Sequence, residues 1–260
     1  MPSSFGRNIL LLVPHADDEV VAGCAAIGRA QAEGAKVHAL YLTHGCIARE
    51  VRWPWDRSKH DQHVGRRRDE AMRAAKLLKL IPAGWSLRPA RSLWQHLPAV
   101  SADITKAVAE YQIDQIWTPA YEGGNADHDV VSALVSRLTP AVSVLEFAEY
   151  NFASGRAHSQ EFPELNGSEQ VIQLTEAERE LKKQALEIYQ SERGNLGYVK
   201  TERECFRPLA RYDYRRPPHD GTLWYARFQW VPFRHPRVDF TNPLEVCQAI
   251  TRFMESPRVS

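Results

Sequence analysis

The sequence has no long hydrophobic run: its longest purely apolar stretch is residues 9–13, closed by Pro14. A bilayer-spanning helix needs about 20 such residues, and the core of a signal peptide at least about 7. No membrane span is expected, and a cytoplasmic protein is. Cysteine is equally scarce, with 4 in 260 residues (Cys24, Cys46, Cys205 and Cys247) and no C-x-x-C pair. A disulfide scaffold and a thiolate zinc site therefore both lack support. Neither sign of charge dominates: 33 Lys and Arg face 32 Asp and Glu, leaving a net charge of +1, so the whole chain is no polyanion binder. No G-x-G-x-x-G turn is present, since Gly23 and Gly28 fall inside a helical stretch. The second strand-like run ends in Thr43-His44, not in the acid a ribose needs, which argues against a nucleotide cofactor. Repeats, heptads and low-complexity tracts are missing too. What remains, 43% hydrophobic and 25% charged, is an ordinary globular composition of enzyme size.

The first half alternates strand-like with helix-like segments. Residues 8–13 read as a strand buried on both faces, and residues 37–43, 114–118 and 142–150 as further strands. Helical periods run over 19–32, 69–80, around Val100, Ile104 and Val108, over 130–138, and over 176–190. This β/α alternation predicts a Rossmann-like, doubly wound, mostly parallel sheet with flanking helices. One α/β domain is expected over residues 1–260, with its core at about 8–207. The extension at about 208–260 reads as β-rich and full of Arg and aromatics, with a late strand at 223–231. Residues 46–68 have no clear period, carry seven Lys or Arg against three Asp or Glu, and read as a lid. Residues 193–237 are also basic, ten against four.

The chemistry concentrates between the first strand and the first helix, in His15-Ala16-Asp17-Asp18-Glu19. Ligands of open α/β sheets bind at the carboxyl ends of strands. Crowded carboxylates repel one another unless a cation sits among them, and histidine with carboxylate suits zinc or a related first-row metal. The plainer alternative, an Asp capping a helix, leaves His15 and the second Asp unexplained. A second polar cluster, Tyr121-Glu122-Gly123-Gly124-Asn125-Ala126-Asp127-His128-Asp129, follows the strand at 114–118. On its own, Asp127-His128 reads as a cap and a surface histidine. His60 and His63 have metal-like spacing but sit in a polar stretch, where histidines are usually solvated.

Together the two clusters resemble the HPDDE and GGHPDH signatures of the PIG-L/LmbE family of metal-dependent N-deacetylases. Arg67-Arg68-Asp69-Glu70, residues 182–192 (KKQALEIYQSE) and residues 201–207 resemble further family segments, in the family's order. The resemblance implies a Rossmann-like fold and removal of an acyl group from an amino sugar or its conjugate. It implies His15, Asp18 and His128 as ligands of Zn²⁺, or of another divalent metal such as Fe²⁺, Mn²⁺ or Co²⁺. It implies Asp17 as the base that activates metal-bound water, with Arg67 and Tyr121 at the substrate. The family's first histidine of the second signature is Asn125 here, which places an amide where a proton donor is usual. The implied partner is a small amino-sugar substrate, and the basic lid points to an anionic one. Nucleic acid is not expected, since no RRM, KH or zinc-finger signature occurs, and a homo-oligomer is compatible with the sequence. Two rival readings stand beside this one: a catalytically impaired relative that binds a glycan or metabolite, motivated by Asn125, and a basic RNA-binding module built on the C-terminal aromatics.

Overall fold

The computed structural model describes residues 5–138 and 141–256, so both ends of the expected 1–260 domain lie outside the described residues. Its centre is β1 (Asn8–Val13), whose apolar run alternates between two cores. Leu10 and Leu12 join one apolar layer, while Ile9, Leu11 and Val13 join the other. All five are fully buried, each burial worth about 1.5–3 kcal/mol. Parallel neighbours β2 (Lys36–Tyr41), β3 (Ile81–Trp85), β4 (Gln115–Pro119) and β5 (Ser143–Phe147) extend the sheet. A two-stranded ribbon, β6 (Tyr150–Asn151) with β7 (His158–Ser159), stands apart. Strands β8 (Gln170–Gln173) and β9 (Arg203–Pro208) close one edge antiparallel, giving the order β3-β2-β1-β4-β5-β9-β8. From β1 the chain winds outward to β2 and β3, then returns to place β4 on the other side of β1. The carboxyl ends of β1 and β4 therefore flank the switch point, where α/β sheets bind ligands.

Helices α1 (Asp18–Ala32), α2 (His60–Leu77) and α5 (Glu176–Ile188) cover one face. Helices α3 (Leu97–Glu110), α4 (Ala126–Ser136) and α6 (Pro243–Glu255) cover the other. No helix among the described residues is long and apolar enough to cross a membrane. The α/β expectation thus holds in its parallel core, with two corrections at its margins. Residues 46–68 are not one irregular lid: two short 3₁₀ turns precede α2, which starts at His60. The buried stripe of α2 includes His60, Arg67 and Glu70, and a search for apolar period passes over such residues. The expected late strand at 223–231 is absent, and the described part of the extension contains turns and α6 instead of a β-rich unit. Pro217, Pro218, Pro232 and Pro236 withhold backbone donors there, and of the aromatics Tyr214 and Tyr225 are buried while Phe228, Trp230 and Phe233 are exposed.

One feature of α1 bears on the site. The helix breaks at Gly23 (φ −152°, ψ 30°). The Val21 carbonyl freed by this break accepts from Lys182 Nζ (2.9 Å) and Gln160 Nε2 (2.8 Å). The amides of Ala25 and Ala26 donate to the two oxygens of Glu204 at 3.0 and 2.9 Å. Lys182 and Glu204 are paired at 2.9 Å and both fully buried. A buried ion pair is costly mainly when one member is lost. Glu204→Ala is therefore expected to lower unfolding free energy by about 3–5 kcal/mol, read from denaturant midpoints. The double change Lys182→Met with Glu204→Gln should cost less than the two single changes added together.

Candidate metal centre

The turn after β1 folds back on itself: His15 N–H donates to Asp18 Oδ2 (2.7 Å), and Asp18 N–H to the His15 carbonyl (3.1 Å). The next element, α1, begins at once, and its N-terminal dipole favours the acids Asp18 and Glu19 in its first turn. Across the switch point α4 starts at Ala126, capped by Asn125, whose Oδ1 accepts from Asp127 N–H (2.9 Å). Gly124 lets that turn sit against the Tyr150 main chain, since an added Cβ would lie 2.2 Å from the Tyr150 carbonyl oxygen. These two helix starts bring His15, Asp18 and His128 together.

His15 Nδ1 lies 3.2 Å from His128 Nε2, Asp18 Oδ2 lies 3.2 Å from the same His128 nitrogen, and His15 Nδ1 is 3.5 Å from Asp18 Oδ2. One ligand atom from each residue falls within 4.8 Å of the others. Two imidazole nitrogens and a carboxylate oxygen aimed at one point suit a divalent first-row ion with an open fourth position. The side chain of His15 is 13% exposed while that of His128 is not exposed at all, so the open side faces His15. Behind it, His15 Nε2 meets Asp127 Oδ2 at 3.0 Å, and Asp127 also accepts from the amides of Arg91 (2.6 Å) and Leu93 (2.9 Å). Burial pulls the His15 imidazole down, but Asp127 and Asp18 outweigh it and push its pKa up to about 10. Burial works upward on the Asp18 carboxyl, yet His128 and His15 hold it well below the usual carboxylate range.

Asp17 is the neighbour of this set and not a member of it. Its backbone has φ 137°, a region a side chain rarely adopts, and such strain concentrates at functional sites. Burial pushes its carboxyl well above the usual range, opposed by the Arg67 guanidinium 3.3 Å away. Arg67 itself is 2% exposed. It donates to the Ala16 carbonyl, to Ser191 Oγ (3.2 Å) and towards Glu192 (3.4 Å). Gly45 (φ +74°) leaves room for it, since a Cβ there would lie 2.9 Å from Arg67 Nε. Glu70 takes the Ser191 hydroxyl and amide, so the two sequence segments around residues 67–70 and 182–192 interlock beneath Asp17. Glu19, pushed up to about 7 by burial, accepts from the Tyr189 hydroxyl in the same layer.

The structure therefore gathers His15, Asp17, Asp18, Asn125, Arg67 and His128 in one region. The expectation for Tyr121 is corrected. Its side chain is buried in the apolar layer, its hydroxyl donates to the Arg216 carbonyl (2.6 Å), and it packs on Tyr212 and Tyr214. Such a satisfied core tyrosine offers a substrate nothing. His60 and His63 also stay out of the cluster, contacting the Ile47 carbonyl (3.1 Å) and Arg52 respectively. An aromatic wall adjoins it instead: Tyr150 lies 5.9 Å from His128, 4.5 Å from Tyr198 and 5.3 Å from Trp224, ring to ring. Two buried acids went unread in the sequence. Asp127 reads as a cap, and Glu149 stands just past the end of β5, where strand ends of such sheets carry their ligands.

Comparison with known proteins follows the same lines. The family described as "PIG-L: GlcNAc-PI de-N-acetylase" matches residues 10–139. Among solved structures, a deacetylase from the teicoplanin biosynthesis pathway shares 20% identity at a TM-score of 0.63, covering 79% of this chain and 99% of that one. The A40926 pseudoaglycone deacetylase is similar at 20% identity and TM-score 0.62, over 80% and 98% of the two chains. The N,N'-diacetylchitobiose deacetylase of Pyrococcus horikoshii is more distant, at 16% and 0.53 over 72% and 70%. A search among proteins of curated function gives no match. At these identities the structural likenesses establish a shared fold.

Proposed function

The chain belongs to the PIG-L family, and from that footing we propose that it hydrolyses the N-acyl amide of an amino sugar or amino-sugar conjugate. The observation that carries the reading is the convergence of His15, Asp18 and His128 beside a strained, buried Asp17. A divalent ion held by those three residues, zinc or a related metal, supplies Lewis acidity and lowers the pKa of water towards ~7. Asp17 takes the proton from the attacking water and returns it to the leaving nitrogen. Arg67 aims that carboxylate and favours its ionised form against the cost of burial. Asn125, with Oδ1 committed to its helix cap and its amide next to the Tyr150 hydroxyl, has an N–H to offer as a neutral donor for the developing oxyanion. Tyr150, Tyr198 and Trp224 form a half-buried wall on which the apolar face of a sugar ring can stack. Arg227, set over the Trp224 ring at 3.4 Å, adds a positive charge at its outer end and suits an anionic conjugate.

Acetate release decides the matter. Metal-free protein reloaded with Zn²⁺, Mn²⁺, Co²⁺ or Fe²⁺ is expected to release acetate from N-acetylglucosamine conjugates, and chelation to abolish it. Asn125 in place of a histidine favours the rival reading of an impaired, glycan-binding relative. Tight metal binding with no acetate release from any conjugate would establish that rival.

A further inference from the structure

We infer that Glu149 is a positioning residue of the metal centre, holding His128 from behind as Asp127 holds His15. The inference rests on the reading that His15, Asp18 and His128 bind a divalent ion. The two histidines are alike in front, where His15 Nδ1 and His128 Nε2 face each other at 3.2 Å. Behind, they differ. The distal nitrogen of His15 has its carboxylate at 3.0 Å. The distal nitrogen of His128 is buried without a hydrogen-bond partner, and Glu149 Oε2 lies 3.9 Å from it. Neither carboxylate oxygen of Glu149 has a partner, although both side chains are fully buried. Unpaired polar atoms are rare inside proteins, and three of them clustered together call for an explanation.

The chemistry of a bound imidazole supplies one. A cation in front of His128 takes the lone pair of Nε2, so the ring proton must sit on Nδ1. That N–H points away from the metal and needs an acceptor, and Glu149 faces it. Ligating histidines almost always donate their second N–H to such a group. A shift of the order of 1 Å turns the present separation into a charge-assisted hydrogen bond of about 2.7–2.9 Å. The Glu149 main chain is already fixed: its N–H donates to Glu122 Oε1 (2.8 Å) and its carbonyl accepts from Gln160 N–H (2.9 Å). Its side chain meets the ring edge opposite the shared space, so it orients His128 and is not a fourth ligand.

The test titrates metal-free protein with Zn²⁺ against a chromophoric chelator, for wild type, Glu149→Gln and Asp127→Asn. Both variants are expected to bind about 10–100-fold more weakly, the usual worth of an orienting partner. Melting of the metal-free Glu149→Gln protein should stay near wild type, since the bond forms only with metal. An unchanged Zn²⁺ affinity, or a loss confined to metal-free melting, would overturn the inference. Should the variant not fold, ¹⁵N spectra of Zn²⁺-loaded wild type decide: a protonated His128 Nδ1 is expected, and a bare one overturns it. An enzyme that turns over with unaltered affinity in Glu149→Gln sinks this inference alone. Absence of acetate release with the affinity loss intact sinks only the proposed activity.

Discussion

Asp17→Asn is expected to keep its metal and to lose on the order of ~10²-fold or more in kcat, the usual worth of general acid–base catalysis. The change is nearly isosteric, so the turn from β1 into α1, with its unusual Asp17 backbone (φ 137°), should survive. Arg67 loses the charge of its partner but keeps its bonds to the Ala16 carbonyl and Ser191. An amide cannot accept the proton of the attacking water as a carboxylate does, and has none to return to the leaving amine. Metal content measured beside kcat separates the outcomes. If metal and activity vanish together, Asp17 is a ligand, and the mechanism must be withdrawn.

His15→Ala should have the other large effect, stripping the protein of its metal at micromolar metal concentrations. It leaves Asp18 and His128 as donors, two where a catalytic site uses three. It also removes the group that Asp127 orients, while Asp127 keeps the amides of Arg91 and Leu93 and so stays satisfied. The fold should therefore persist, with circular dichroism unchanged while metal analysis shows an empty protein. A His15→Ala protein as fully loaded as wild type would remove His15 from the ligand set.

How far the sequence foretold this molecule depends on the kind of residue doing the burying. β1 was legible to the residue, because five apolar side chains in a row followed by His15-Ala16-Asp17-Asp18-Glu19 leave little choice of structure or place. The three candidate ligands, read from the two motif clusters, do converge in space. Where charged groups are buried, the reading failed. The inward face of α2 includes Arg67 and Glu70, so the start of that helix was placed nine residues late. β3 contains Pro82 and Gly84, and β8 is an exposed edge, so neither has the pattern of a central strand. Tyr121 stood next to a motif in sequence, yet its side chain turned into the apolar layer, a choice that nearest neighbours in the chain do not reveal.

The break in α1 has a consequence in time. Its freed carbonyl and amides are satisfied by residues 139 to 179 positions further along the chain. Contacts of such sequence separation form late, because the loop entropy is spent before any contact rewards it. During synthesis the parallel strands and both motif clusters are made before Lys182 and Glu204 exist. Until β9 arrives, the helix that carries Asp18 lacks Glu204, which holds the two amides beyond its bend. A fragment ending near residue 139, though it contains His15, Asp17, Asp18 and His128, would thus hold the right side chains on an unfinished frame. The antiparallel edge is the last part of the sheet made, and it completes the oldest-emerging part of the site.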